Sequence, residues 1–330
     1  MLRIFMLACL LLTPQVHADQ VLAPVTGRPV HTYSIVARDP DSGQLGVAVQ
    51  SHWFSVGSLV PWAQAGVGAI ATQSFVEVRY GVSGLELMAS GLDAQRTLAA
   101  LLAADANPGV RQVAMIDNSG RTATHTGENC IEYAGHLVGE NFSVQANLMI
   151  KPGVPQAMAR AFQQASGSLA ERLLVALEAA QATGGDLRGK QSAAILVVSG
   201  NASGRSWQDR LVDLHVEDNP QPLLELRRLL LLNTAYEHMN RGDHALESGD
   251  IEAALAEYGR AEALQPDNLE MKFWHAVSLV NAGRVDAAIL LFDTIFRGGV
   301  QWRELVPRLA RAGLLQADVA VLKRIDRAGQ

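Results

Sequence analysis

Thr32-Tyr33-Ser34-Ile35-Val36-Ala37-Arg38, then Asp39-Pro40-Asp41-Ser42-Gly43, then Leu45-Gly46-Val47-Ala48-Val49-Gln50 is the stretch that decides the fold. Two β-type segments flank a cluster of turn formers, which fits an antiparallel hairpin. A third β-type run covers Ala65 to Thr72. From Gly84 the period changes: Leu85, Leu87, Met88 and Leu92, then Leu98, Leu101 and Leu102, recur at helical spacing, and Gly91 marks the break between two helices. Residues 111–117 and 121–126 read as another hairpin around Asn118-Ser119-Gly120, and a strand-rich stretch runs on to Met149. Pro152 to Gln181 reads as two helices interrupted at Ser166-Gly167-Ser168, closed by Gly184-Gly185, and Ser192 to Val198 is a strongly apolar strand. Hairpins alternating with paired helices point to helices layered outside packed antiparallel sheets, an α+β fold, rather than to a doubly wound parallel sheet.

The last third follows a different rule. Gly249, Ala254 and Tyr258 recur as Gly283, Ala288 and Phe292, each 34 residues later. Gly242, Ala261 and Pro266 fall where a tetratricopeptide repeat has its small residues and closing proline. The second repeat is weaker, with Ala276 for the first glycine and Val300 in place of the proline, and a third, after about Arg303, is fragmentary. The Leu-rich segment from Leu223 to Tyr236 is expected to cap this array and weld it to the preceding domain. Residues 32–218 are thus read as the α/β domain and 219–330 as an all-α connector with repeats.

The other end reads as an export signal. Arg3 precedes the apolar stretch Ile4 to Leu12, and Thr13 to Ala18 supplies a cleavage region ending in a small residue. Residues 1–18 are expected to be a signal peptide and 19–31 a linker or propeptide, giving a periplasmic or secreted protein. Cys130 is then the sole cysteine of the mature chain, so no intramolecular disulfide is available, and it reads as a small buried hydrophobe.

A net charge of −6 argues against a nucleic-acid partner, which needs clustered Lys and Arg. No apolar run approaches the roughly 20 residues of a membrane span. No His-Glu-x-x-His pattern, Cys/His cluster or Gly-x-Ser-x-Gly elbow occurs, so no metal or cofactor is expected. Gly66-Val67-Gly68-Ala69-Ile70-Ala71 matches a dinucleotide fingerprint only formally, because no helix opens after it to receive a phosphate.

His31 to Asp39, Gly46 to Ser51, Gly66 to Ala69, Gly139 to Asn147 and Gly184 to Ala194 together resemble, in order, the blocks of a bacterial and archaeal family called domain of unknown function 1028. The resemblance runs from residue 32 to about 218. It implies an N-terminal-nucleophile (Ntn) hydrolase-like fold, a four-layer αββα sandwich of two antiparallel sheets between helical layers. In such enzymes a Thr, Ser or Cys heads the first strand and its own α-amine, with a pKa of about 7.7–8.0, serves as base.

Thr32 stands at that position. The resemblance further implies Ser51, Asp186 and Ser192 as residues around the nucleophile and amine. It makes Asn147, with Asn141 and Gln145, a source of oxyanion donors, and Arg188 and Gln191 candidates for substrate binding. Each has a plainer reading: Thr32 as a β-branched strand starter, Asp186 with Arg188 as a solvated ion pair, the amides as partners of buried backbone. An amine serves as base only if it is free, so this chemistry requires a second cut between His31 and Thr32.

Two functions follow: an amidohydrolase acting on a small amide or peptide-like substrate, or a non-catalytic ligand-binding module. In either, the repeats would dock a protein or peptidoglycan partner. Self-association into a homo-oligomer stays open.

Overall fold

The computed structural model describes Val30 and residues 32–330; the expected signal segment 1–18 and, Val30 apart, the segment 19–31 lie outside the described residues. Strands β1 (Thr32–Arg38) and β2 (Leu45–Ser51) form the expected hairpin, with Thr32 opposite Ser51 and Arg38 opposite Leu45. Its turn is held by the Asp39 carboxylate, which accepts from the Ser42 amide and hydroxyl, and by Gly43 at φ +74°.

The run expected as one strand over Ala65–Thr72 is instead a second hairpin, β3 (Pro61–Gln64) and β4 (Gly68–Ser74). Gly66 breaks it. Its φ of +71° is open to glycine, and an added Cβ would come within 3.1 Å of the Ala202 backbone nitrogen. The fingerprint-like glycines therefore lie in a turn and a strand.

Helices α1 (Arg79–Ala89) and α2 (Ala94–Ala103) follow, then β5 (Arg111–Asp117), β6 (Thr122–Thr126), β7 (Gly135–Gly139) and β8 (Phe142–Ala146). Helix α3 (Val154–Gln164) leads to α4 (Leu169–Ala182), which opens with a capping box between Ser168 and Glu171. Strand β9 (Ser192–Val198), the single turn α5 (Ser206–Asp209) and β10 (Arg210–Val216) complete this part.

The strands make two antiparallel sheets, ordered β10-β9-β2-β1-β8-β7 and β3-β4-β5-β6. Helices α3 and α4 cover the outer face of the first sheet, α1 and α2 that of the second, and the inner faces pack on each other. Period-two alternation decides what goes where. Tyr33, Ile35 and Ala37 of β1 point toward α4, joining Leu173 and Leu177, whereas Val36 joins Val47, Val49, Ala69 and Ala114 between the sheets.

The Leu-rich segment forms α6 (Pro222–Glu247), a helix of 26 residues shared by two cores. Its first half buries Leu223, Leu226 and Leu230 in the core that α4 lines, and Arg227 donates to both carboxylate oxygens of Glu178 on α4 at 2.7 and 2.5 Å. Its second half contributes Ala235 and Met239 to a cluster with Ala254, Tyr258 and Ala261 of α7 (Ile251–Leu264). Gly242 permits that contact, since a Cβ there would lie 2.7 Å from the Tyr258 ring.

Helices α8 (Leu269–Asn281) and α9 (Val285–Gly298) repeat the arrangement, with Ala276, Ala288 and Phe292 fully buried. The region expected to be fragmentary is a third helix pair, α10 (Val300–Arg311) and α11 (Val319–Arg327). Val306, Leu309, Leu315 and Ile325 bury against Phe292 and Phe296, so packing of an apolar face supplies what the repeat signature lacks. Among the described residues no helix is long and apolar enough to cross a membrane.

Leu226 has no exposed surface and belongs to the helix that joins the two cores. Leu226→Ala is expected to cost about 2–5 kcal/mol, read as a fall in denaturation midpoint. A change under about 0.5 kcal/mol would show that α6 is not anchored in the sandwich.

Candidate functional site

Alternation along β1 turns Thr32 and Ser34 toward the second sheet, and register gives each its neighbours. Thr32 faces Ser51 on β2, Ser51 faces Ser192 on β9, and Ser34 faces Gln145 on β8. On the opposing sheet Gln73 of β4 lies across from Gln112 of β5, which lies across from Thr126 of β6. Thr32, Ser34, Ser51, Gln73, Gln112, Ser143, Gln145 and Asn147 are all fully buried. The interior between the sheets is therefore divided: valine, leucine, isoleucine and alanine fill one part, hydroxyls and amides the other.

These polar groups form a connected chain. The Gln145 amide donates to Ser34 Oγ at 2.5 Å, Ser34 Oγ donates to Gln73 Oε1 at 2.6 Å, and Gln73 Nε2 donates to Gln112 Oε1 at 2.6 Å. Asn147 Nδ2 donates to the same Gln112 oxygen at 2.7 Å, while Gln112 Nε2 reaches the Ala146 carbonyl at 3.0 Å and Thr126 Oγ1 at 2.9 Å. Beyond Gln145, Ser143 Oγ meets Thr124 Oγ1 at 2.7 Å, and Thr126 Oγ1 meets His136 Nδ1 at 2.8 Å. Burial, and next the neighbouring His125, lower the His136 pKa, so the ring is neutral at neutral pH.

Thr32 is tied into this cluster and to the chain before it. Its carbonyl accepts from the Asn147 amide at 3.1 Å and from Gln73 Nε2 at 3.4 Å. Its hydroxyl donates to the Val30 carbonyl at 2.6 Å. Val30 pairs with Ser74 in an antiparallel bridge, with N–H···O contacts of 2.6 and 3.0 Å in the two directions. Ser74 holds φ at +69°, a sparsely populated region for serine, and its buried hydroxyl neighbours the Cys130 thiol.

Asp186 is buried beside this group, in the loop between α4 and β9. Its carboxylate accepts from the Arg188 backbone N–H at 2.9 Å, from the guanidinium at 3.0 and 2.6 Å, and from the His52 N–H at 3.2 Å. The Asp186–Arg188 pair is thus a clamp with a buried carboxylate and a half-buried guanidinium, where a solvated pair was the plainer expectation. Burial, and second the Asp186 charge, push the Tyr33 hydroxyl well above the ordinary tyrosine pKa, leaving it neutral between the side-chain oxygens of Gln50 and Gln181. Ser192 Oγ donates to the Trp53 carbonyl and accepts from the Val56 N–H at 3.1 Å, fastening the 53–56 loop to β9.

Of the expected residues, Asn141 lies apart from Thr32, and Gln191, whose backbone N–H donates to the Ser51 carbonyl at 3.1 Å, turns its side chain away. Asn141 occupies the turn between β7 and β8 at φ +60°, where its carbonyl accepts from the Arg38 amide. That is the far end of β1, about 20 Å away at roughly 3.3 Å per strand residue. Gln191 directs its amide to Asp218 at 3.2 Å on the surface. Conversely, Ser34, Gln73 and Gln112 belong to the site although reading the sequence did not single them out. Their signal is polar residues at alternate positions within otherwise apolar strands. Cys130 is half-buried rather than core: its Sγ donates to the Arg111 carbonyl at 3.4 Å, and burial raises the thiol pKa.

Gln112→Leu keeps the volume but removes the oxygen to which Gln73 Nε2 and Asn147 Nδ2 both donate. The expected loss is about 2–4 kcal/mol in chemical denaturation, since breaking one side of a buried hydrogen bond costs about 1–3 kcal/mol; an unchanged midpoint would mean the cluster is solvated. Ser74→Gly removes a side chain from a positive-φ position, so it should stabilise by about 1 kcal/mol. A destabilised Ser74→Gly protein would contradict the strain assigned to that residue.

A search of the curated proteins finds no match. A tetratricopeptide repeat is matched at residues 239–297. Among solved structures, protein SPO2555 from Silicibacter pomeroyi, which carries the DUF1028 designation, superposes with a TM-score of 0.54 at 26% identity, covering 61% of this chain and 88% of that one. Residues 32–226 match the "Family of unknown function (DUF1028)", which takes in both sheets, α1–α4 and the start of α6, and the chain belongs to that family.

Proposed function

We propose that the protein is an exported hydrolase of amide or peptide-like bonds, with Thr32 as its nucleophile once the bond between His31 and Thr32 is cut. The observation that carries this reading is the hydrogen bond from Thr32 Oγ1 to the Val30 carbonyl. The acceptor belongs to the segment that the cut would remove. One scission would release the hydroxyl and create the α-amine beside it, within a buried polar cluster.

The free amine takes the Oγ1 proton as the oxygen adds to the substrate carbonyl. Gln73 and Asn147, each already held by Gln112, are the amides at hand for the oxyanion. The tetrahedral adduct collapses, the leaving amine takes the proton from the α-ammonium, and an ester on Thr32 remains. Water, deprotonated by the same amine, hydrolyses that ester and restores Thr32. Ser51 lies directly across the ladder, which supports it as the hydroxyl that holds the new amine.

Export to the periplasm or medium belongs to the same proposal, supported by residues 1–18. The repeats support a protein partner docked on the helical region.

N-terminal sequencing and intact mass of the mature protein should show a chain beginning at Thr32. Thr32→Ala should lose amide hydrolysis by about 10³-fold or more, and Thr32→Ser should retain part of it. A homogeneous product beginning at Asp19 that is fully functional in its host would instead favour a non-catalytic ligand-binding module.

A further inference from the structure

Val30 does more than precede the nucleophile. Only 3% of its surface is exposed, and its side chain joins the apolar cluster that includes Val49, Val56 and Val60. Its backbone is matched to Ser74 in both directions, so the contact specifies an extended conformation as well as an apolar side chain. Ser74 ends β4 immediately after Gln73, whose amide reaches the Thr32 carbonyl. An apolar trough, an unpaired strand end and the Thr32 hydroxyl would thus lie in line wherever Val30 is absent. Adding an extended segment to such a strand end is a general mode of peptide recognition: main-chain hydrogen bonds supply affinity and alternate side-chain pockets supply selectivity.

We propose that the trough holding Val30 and the Ser74 backbone opposite form a peptide subsite, taking a valine-sized apolar side chain two residues before the bond that Thr32 attacks. The inference rests on Thr32 being the nucleophile. It narrows the substrate from amides in general to extended peptides, with Val30 of the uncut chain as an internal template for how they lie.

The test uses the full chain carrying Val30→Asp, which should empty the trough, and two free peptides, acetyl-Pro-Val-His-amide and acetyl-Pro-Asp-His-amide. Hydrogen exchange at the Ser74 amide should quicken at least tenfold on Val30→Asp. The valine peptide should slow it again and should bind, by calorimetry, at least tenfold more tightly than the aspartate peptide. Unchanged Ser74 exchange, or equal binding of the two peptides, overturns the subsite. If Val30→Asp does not fold, a chain beginning at Thr32 takes the two peptides in its place: tighter binding of the valine peptide supports the subsite, and equal binding overturns it.

None of these readouts needs turnover. Selective binding without any cleavage by the chain beginning at Thr32 would refute the nucleophile and not the trough. Cleavage of amides with no preference at this position would refute the trough and not the nucleophile.

Discussion

The region around Thr32 depends on one side chain, Gln112. Its oxygen gathers the amides of Gln73 and Asn147 from the two sheets, and its nitrogen binds the Ala146 carbonyl across the interface. Hydrogen bonds between polar groups removed from water add little net stability, about 0.5–1.5 kcal/mol each, whereas leaving one unpaired costs more. The cluster therefore contributes less through strength than through exclusivity. Only one alignment of the sheets satisfies all its members, and that alignment sets Gln73 and Gln112 of the second sheet against Thr32 and Asn147 of the first.

A second constraint governs the chain as a whole. Helix α6 is continuous across the boundary between sandwich and repeats, with leucines in one core and Ala235 and Met239 in the other. The Arg227–Glu178 pair is partly exposed and contributes modestly; burial of the leucines carries the attachment. A partner held on the repeats would thus be anchored to the sandwich by a helix, not by a flexible linker.

Much of the fold is legible in the sequence, for physical reasons particular to each element. The first hairpin announces itself by an Asp-Pro-Asp-Ser-Gly turn between alternating strands, and the repeats by small residues where helices touch. Gly66 misleads because a glycine amid alanines and valines reads equally as strand or turn, and only its close approach to Ala202 forces the turn. Strand β10, at a sheet edge, alternates Val212, Leu214 and Val216 with exposed Asp213 and His215, a period-two pattern that is short but legible. At the site, Thr32, Ser51 and Asn147 are findable from family blocks, whereas Asn141 and Gln191 share those blocks yet point elsewhere. Proximity in sequence says little about a strand's two ends. Gln73 and Gln112 escape notice because their meaning depends on a partner sheet that no local pattern reveals.

In the proposed function Thr32, freed from Val30, becomes the nucleophile of this cluster. Covalent trapping tests it most directly: the mature protein is exposed to a β-lactone, and its peptides are weighed. The account predicts a single acyl adduct on the peptide that begins with Thr32, absent from the Thr32→Ala protein. An adduct on another residue, or an unmodified Thr32 still joined to His31, would contradict it.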